Sequence, residues 1–205
     1  MKVLIINGSP HNDGCKKTAL SIVEKELNNN GIETEWLHIG NMDVRGCVDC
    51  GFCKENKRCA FEDVVNEANK KFEESDGILI GTPVYYSGMN GTLKSFLDRL
   101  FRSSHIGKST KVGACVASCR RAGSISALDE INRYFEISNM PIAASTYWNE
   151  VHGAKAEDVL EDKEGVQTMK NLGRSMAFLI KSIDLGKKEY GIPEKELGAR
   201  TNFIR

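Results

Sequence analysis

Four of the chain's seven cysteines crowd into one short segment, GCVDCGFCKENKRC, spaced as Cys47-x2-Cys50-x2-Cys53-x5-Cys59. Thiols this close suit a metal or cluster site, a redox-active thiol group, or disulfides. Structural zinc sites usually pair two C-x2-C units across a longer spacer, which this run lacks. The bacterial ferredoxin ending C-x3-C-P is also absent. A plain thiol loop is the bland alternative.

Three further segments carry groups suited to ligand binding. The first, GSPHNDGCKKT, offers the Ser9 hydroxyl, backbone amides and a following helix N-terminus, with Lys16 or Lys17 adding positive charge. Such a loop suits an anion. It is neither a P-loop nor a dinucleotide fingerprint, because GxxxxGK[ST] and GxGxxG are both missing. The second, TPVYYSGMNGTLK, places Tyr85 and Tyr86 beside exposed backbone, an arrangement that suits a flat aromatic ligand. The third, SCRRAGS, puts Arg120 and Arg121 where they could neutralise an anionic group. Each has a structural alternative: an ordinary connecting loop, tyrosines packed under a helix, and a solvated arginine pair. The four histidines, His11, His38, His105 and His152, show no metal-binding spacing.

These segments follow apolar runs. Val3 to Asn7, Gly77 to Gly81 and Lys111 to Ser118 read as strands buried on both faces, Glu33 to Ile39 as a peripheral strand, and Ile142 to Trp148 as a fifth. Helical spacing runs over Thr18–Asn28, Asp63–Glu74, Gly91–Phe101, Ser126–Ile137 and Val166–Lys181. Strands alternating with helical crossovers predict an α/β protein: a parallel sheet covered on both faces. Ligands of such sheets bind at the carboxyl ends of the strands, where all three loops fall. The expected organisation is one domain over residues 1–185, with a cysteine-rich insertion at about 45–62 and a tail from 186 to 205.

Lysine plus arginine and aspartate plus glutamate balance at 28 each, so no global field attracts nucleic acid or an anionic membrane. Only four apolar residues, Val3 to Ile6, follow Met1-Lys2 before Asn7 and GSP, too few for a signal peptide, and no run approaches a membrane span. A cytoplasmic location is the expectation. Reduced thiols there favour metal or redox chemistry over disulfides.

In order, INGSPHNDGCKKTAL, SDGILIGTPVYYSGMNGTLKSFLDR, SCRRAG, STYWNEVHG and LGRSMA resemble the flavodoxin-like NADPH-dependent FMN reductase family over most of residues 1–181. The cysteine run resembles the compact motif of the iron-sulfur flavoproteins. The resemblance implies a doubly wound, five-stranded parallel sheet of order 2-1-3-4-5. It implies FMN, with its phosphate over Ser9, His11 and the stretch Cys15, Lys16, Lys17, Thr18. The flavin ring would lie between Pro83, Val84, Tyr85 and Tyr86 on one side and Ser118, Arg120, Arg121 and Gly123 on the other. His11 and the Cys15-Lys16 pair depart from the family's usual Arg and Asn-Thr.

Activity follows from the cofactor, with no catalytic side chain required: NAD(P)H reduces the flavin, which passes electrons to a small molecule. The compact motif implies a [4Fe-4S] cluster on Cys47, Cys50, Cys53 and Cys59, with Gly46 and Gly51 allowing the turns and Lys54, Lys57 and Arg58 offsetting charge. An iron-sulfur flavoprotein reduced by ferredoxin is the alternative. Aromatic residues at the flavin edge (Tyr85, Tyr86, Trp148) imply a homodimer or homotetramer.

Overall fold

A computed structural model describes residues 1–199, Thr201 and Phe203. The expected tail from 186 to 205 therefore lies partly outside the described residues. Twelve elements run in the order β1 (Lys2–Asn7), α1 (Cys15–Asn29), β2 (Glu33–His38), α2 (Phe52–Asn56), α3 (Val64–Glu73), β3 (Gly77–Pro83), α4 (Gly91–Ser103), β4 (Val112–Cys119), α5 (Ser124–Ile137), β5 (Glu150–His152), α6 (Ala156–Glu161) and α7 (Lys163–Tyr190). All five strands are parallel, in the order β2-β1-β3-β4-β5. This is the flavodoxin-like arrangement expected from the sequence.

Strand periodicity separates two cores. Leu4, Ile6, Ile78, Ile80 and Cys115 face α3, α4 and α5, where they meet Phe72, Phe96, Leu97, Ile131 and Phe135. Val3, Ile5, Leu79, Ala114 and Val116 face the other way, onto Leu20, Val23 and Leu27 of α1 and Leu172 and Met176 of α7. Successive residues of one strand thus feed opposite faces, which is why Val3 to Ile6 are all apolar. The start of β4 is locked by packing against α5. A Cβ on Gly113 would lie 2.6 Å from the Phe135 ring, so only glycine lets α5 close on the sheet.

The fifth strand differs from expectation. Within 142–148 the pairing is limited to an isolated bridge between Ile142 and Gly113, in which the Ala143 amide donates to the Gly113 carbonyl at 2.8 Å. Pairing resumes at Glu150–His152, against Ala117, Ser118 and Cys119. Between them Tyr147 and Trp148 turn outward and stack edge to face at 4.7 Å. Helix α1 begins three residues before the expected Thr18, and α7 is longer than expected at both ends, reaching Tyr190.

Candidate functional site

The loops after β1, β3, β4 and β5 open onto one cleft of about 540 Å³. That size suits a small organic ligand. Ser9, His11, Cys15, Lys16, Pro83, Tyr85 and Ser118 line it, as do Asp13, Gly14 and the segment Gly153–Glu157 after β5. The last segment was not anticipated. It follows a three-residue strand too short to show any periodicity.

The β1 loop is built on its neighbours. The Ser9 amide donates to Asn7 Oδ1 at 3.1 Å, and the His11 amide donates to Ser9 Oγ at 3.2 Å. His38 Nε2, at the end of β2, donates to the Ser9 carbonyl at 2.6 Å. Asn90 caps α4 through Leu93 N at 2.7 Å and donates its own amide to the Gly8 carbonyl at 2.7 Å. Helix α1 follows with no side-chain cap at Gly14, so its first amides and positive dipole end face the cleft.

Lys16 is the strongest electrostatic feature of the cleft. Its side chain is 2% exposed, and its ammonium donates to the carbonyl and hydroxyl of Ser118. No carboxylate pairs with it among the described residues. Burial pushes its pKa down to about 7. A cation held this way, beside an uncapped helix N-terminus, is complementary to an anionic group.

The remaining expected ring and phosphate residues lie around the cleft, outside its lining. Lys17 projects one helical step away, over the Trp36 ring at 3.5 Å. Thr18 turns its hydroxyl back to the Gly14 carbonyl at 3.3 Å. Val84 packs on the core, and its amide donates to the Ser118 carbonyl at 3.2 Å. Tyr86 is fully exposed at the tip of a tight turn, while Tyr85, at its base, faces the cleft. Arg120 and Arg121 are exposed. Gly123, with φ of +89°, lies so close to Ser87 that a Cβ would meet its Cα at 2.9 Å. The β3 and β4 loops therefore support each other.

Beneath the β4 loop, single ligand-type atoms of Cys119, Glu150 and His152 lie within 4.8 Å of one another. His152 Nδ1 faces Asp162 Oδ2 at 3.5 Å. Burial, above all, raises the Cys119 pKa.

The cysteine segment lies away from the strand-end cleft, against α4. Cys47, Cys50, Cys53 and Cys59 line a common cavity with Phe61, Arg99 and Arg102. No three of these thiols lie within 4.8 Å of one another. A single zinc ion would draw them to about 3.8 Å, given Zn–S bonds near 2.3 Å. The four cysteines nevertheless line one cavity, and thiolates are the ligands that iron–sulfur clusters use. Gly51 (φ +75°) and Lys57 (φ +53°) bracket the short α2 that carries Cys53.

Of the cations expected near these thiols, Arg58 instead pairs with Glu62, and Lys54 and Lys57 are exposed. Arg99 and Arg102 take their place from α4. Arg99 is only 1% exposed. The sequence signal was its register: three residues after Phe96, it falls on the buried stripe of α4.

The doubly wound sheet and its strand-end cleft define a flavodoxin-like flavin domain. Residues 1–155 match the family described as NADPH-dependent FMN reductase, and the chain belongs to that family. It is 35% identical over 196 residues to an iron-sulfur flavoprotein of Methanocaldococcus jannaschii, a match spanning 89% of this chain and 99% of the relative. Among solved structures, an archaeal flavodoxin superposes with a TM-score of 0.61 at 16% identity, covering 88% of this chain and 99% of its own. A flavoenzyme NAD(P)H:(acceptor) oxidoreductase from Paracoccus denitrificans gives 0.68 at 19% identity, covering 88% and 97%. The protein is thus a flavin oxidoreductase by family and fold. No helix among the described residues is long and apolar enough to cross a membrane.

Proposed function

We propose that the protein is an FMN-dependent NAD(P)H oxidoreductase of the flavin or quinone reductase type, which sends electrons out through a [4Fe-4S] cluster. The observation that carries the flavin assignment is Lys16: a buried ammonium without a carboxylate, set at an uncapped helix N-terminus in a cleft at the strand ends. That arrangement calls for a ligand with a phosphate.

Ser9, His11, Cys15 and Lys16 would hold the phosphate, with the amides through Lys17 and Thr18 completing the helix start. Pro83, Val84, Tyr85 and Tyr86 would flank the ring on one side, and Ser118, Arg120, Arg121 and Gly123 on the other. When bound, FMN supplies hydride acceptance at N5 and onward electron transfer. The chain's own part is to orient the ring and to place donors near its polar edge, where reduction builds negative charge. The backbone amides of the Arg120–Gly123 loop suit that role, and the exposed guanidiniums above them add a positive field.

Cys47, Cys50, Cys53 and Cys59 would hold the cluster, which when bound carries single electrons. Cys47 and Cys50 are exposed, which leaves that end of the protein open to an acceptor. The curated relative's description as an iron-sulfur flavoprotein supports this part of the reading. The chain is proposed to act in the cytoplasm as a homodimer or homotetramer. Tyr86, Tyr147 and Trp148 are all exposed and provide aromatic surface for self-association.

The test is anaerobic purification followed by a visible spectrum, iron and sulfide analysis, and rapid mixing with NADH and NADPH. The reading expects flavin bands, a broad added absorbance that disappears in Cys53→Ser, and bleaching by a nicotinamide. A bound flavin that neither nicotinamide bleaches, but reduced ferredoxin does, would replace the reductase reading with an electron carrier. A clean monomer on size-exclusion chromatography at micromolar concentration would remove the oligomer.

A further inference from the structure

Two arginines of α4 tie the cysteine segment to the sheet domain: Arg102 pairs with Asp49 at 2.7 Å, and the buried Arg99 makes the more extensive contact. Its Nε and Nη2 donate to Cys59 Sγ at 3.3 and 3.2 Å. Nη1 and Nη2 donate to the two Asp63 carboxylate oxygens at 2.6 and 2.9 Å, a bidentate pair. Nη1 also reaches the Arg45 carbonyl at 3.3 Å. Cys59 is further clamped through its backbone: its amide donates to Asn66 Oδ1 at 2.9 Å, and its carbonyl accepts from Asn66 Nδ2 at 3.1 Å. About two and a half turns of helix separate this grip from Asn90, the cap that ties the same helix to the β1 loop.

A guanidinium with two N–H groups on one sulfur is an unusual use of a fully buried arginine. A salt bridge to Asp63 alone would need only one edge of the fork. The other edge is spent on the thiol. Hydrogen bonds and positive charge at a ligand sulfur stabilise the thiolate and favour the more negative, reduced state of any cluster it holds.

We infer that Arg99 is a positioning residue for the cluster: it fixes the Cys59 thiolate and raises the reduction potential, while Asp63 moderates its charge. This inference rests on the cluster reading above. The two partners of Arg99 then have opposite electrostatic effects on the same group. Losing the guanidinium lowers the potential. Losing the Asp63 charge, with Arg99 retained, leaves a less compensated cation beside the sulfur and raises it.

The experiment compares the wild type, Arg99→Gln and Asp63→Asn after anaerobic reconstitution with iron and sulfide. It reads iron per chain, loss of iron to a chelator, and the cluster potential by spectroelectrochemical titration. Arg99→Gln should lose iron at least tenfold faster and shift the potential to more negative values. Asp63→Asn should shift it the opposite way. Arg99→Lys, which keeps the charge but not the fork, serves if the Gln variant fails to fold; it should lose iron faster with a smaller fall in potential. Wild-type potential and iron retention in the Arg99 variants, or shifts of the same sign in the Arg99 and Asp63 variants, would overturn the inference while leaving the cluster reading intact. A wild type that takes up no iron would overturn the cluster reading, and this inference with it.

Discussion

Lys16 and Ser118 lie 102 positions apart, yet the Lys16 ammonium donates to the Ser118 carbonyl at 3.4 Å and to its hydroxyl. The contact crosses the sheet ends from α1 to β4 and closes the floor of the cleft. Its cost is desolvation, which holds the Lys16 pKa at about 7 against an ordinary 10.5. Between those values the unfolded chain binds more protons than the folded one. Stability of the flavin-free protein should therefore rise with pH from about 7 to about 10.5. A phosphate recharges the ammonium, so FMN binding should take up a proton and weaken above pH 7. Lys16→Met should flatten the stability slope and weaken FMN by about 10- to 100-fold, the equivalent of a charge-assisted hydrogen bond. Denaturant titrations across pH and fluorescence titration with FMN measure both. A Lys16→Met variant with wild-type FMN affinity would exclude the phosphate role.

A second prediction concerns a residue that never touches the ligand. A Cβ on Gly40 would sit 2.0 Å from the Ser9 carbonyl oxygen, backbone that no rotamer change can move. Gly40→Ala must push Ser9 out of place and strain its 2.6 Å bond to His38. The expected cost is about 1–3 kcal/mol of stability and a marked loss of FMN affinity. Gly91→Ala is the control, because nothing lies within 4 Å of its added methyl. Equal FMN affinity in the two variants would show that the β2 end does not shape the phosphate loop.

How far the sequence reaches is clear from such pairs. The runs VLIIN and GILIG identify central strands because both faces are covered, and the loops after them mark the cleft. In the sequence alone Lys16 and Lys17 are interchangeable. One helical step, about 100°, separates a buried cation from one lying on Trp36. The fifth strand was misplaced because its three paired residues, EVH, carry one apolar side chain, whereas IAASTYW looks more strand-like and mostly leaves the sheet edge. Arg99 was hidden for a different reason. Its partners, Asp63 and Cys59, lie 36 and 40 positions away, and only the folded crossover brings them to its guanidinium.

The turn at the tip of the β3 loop supplies a third prediction. Tyr85 and Gly88 exchange backbone hydrogen bonds at 2.9 Å in each direction, with Tyr86 (φ +50°) and Ser87 (φ +62°) between them. Two left-handed residues define a type I′ turn, which favours Asn-Gly. Side chains with a Cβ cost about 1–2 kcal/mol each there. Replacing Tyr86-Ser87 with Asn-Gly should raise the melting temperature by a few degrees. If the exposed Tyr86 contributes to self-association, the same change should shift the size-exclusion profile toward monomer. A lower melting temperature would show that the tyrosine ring provides more in the assembled protein than the turn loses.

The cysteines give the last prediction, because burial divides them into groups that chemical modification can separate. Cys47 and Cys50 are exposed, and Cys15, Cys53 and Cys59 are partly covered. Cys115 is buried within the sheet beside Asn132, and burial raises its pKa far beyond the ordinary thiol range. Thiolates, not thiols, react with alkylating agents. In reduced, cofactor-free protein, Cys47 and Cys50 should label first, and Cys115 only after denaturant is added. Added FMN should protect Cys15, which lines the cleft, and leave Cys47 untouched. Reconstitution with iron and sulfide should protect Cys47, Cys50, Cys53 and Cys59 together and leave Cys15 reactive until flavin is bound. Peptide mass spectrometry reads all seven sites in one experiment. Protection of Cys15 by iron, or of the Cys47–Cys59 segment by FMN alone, would mean that the two cofactors do not occupy the separate places the fold provides.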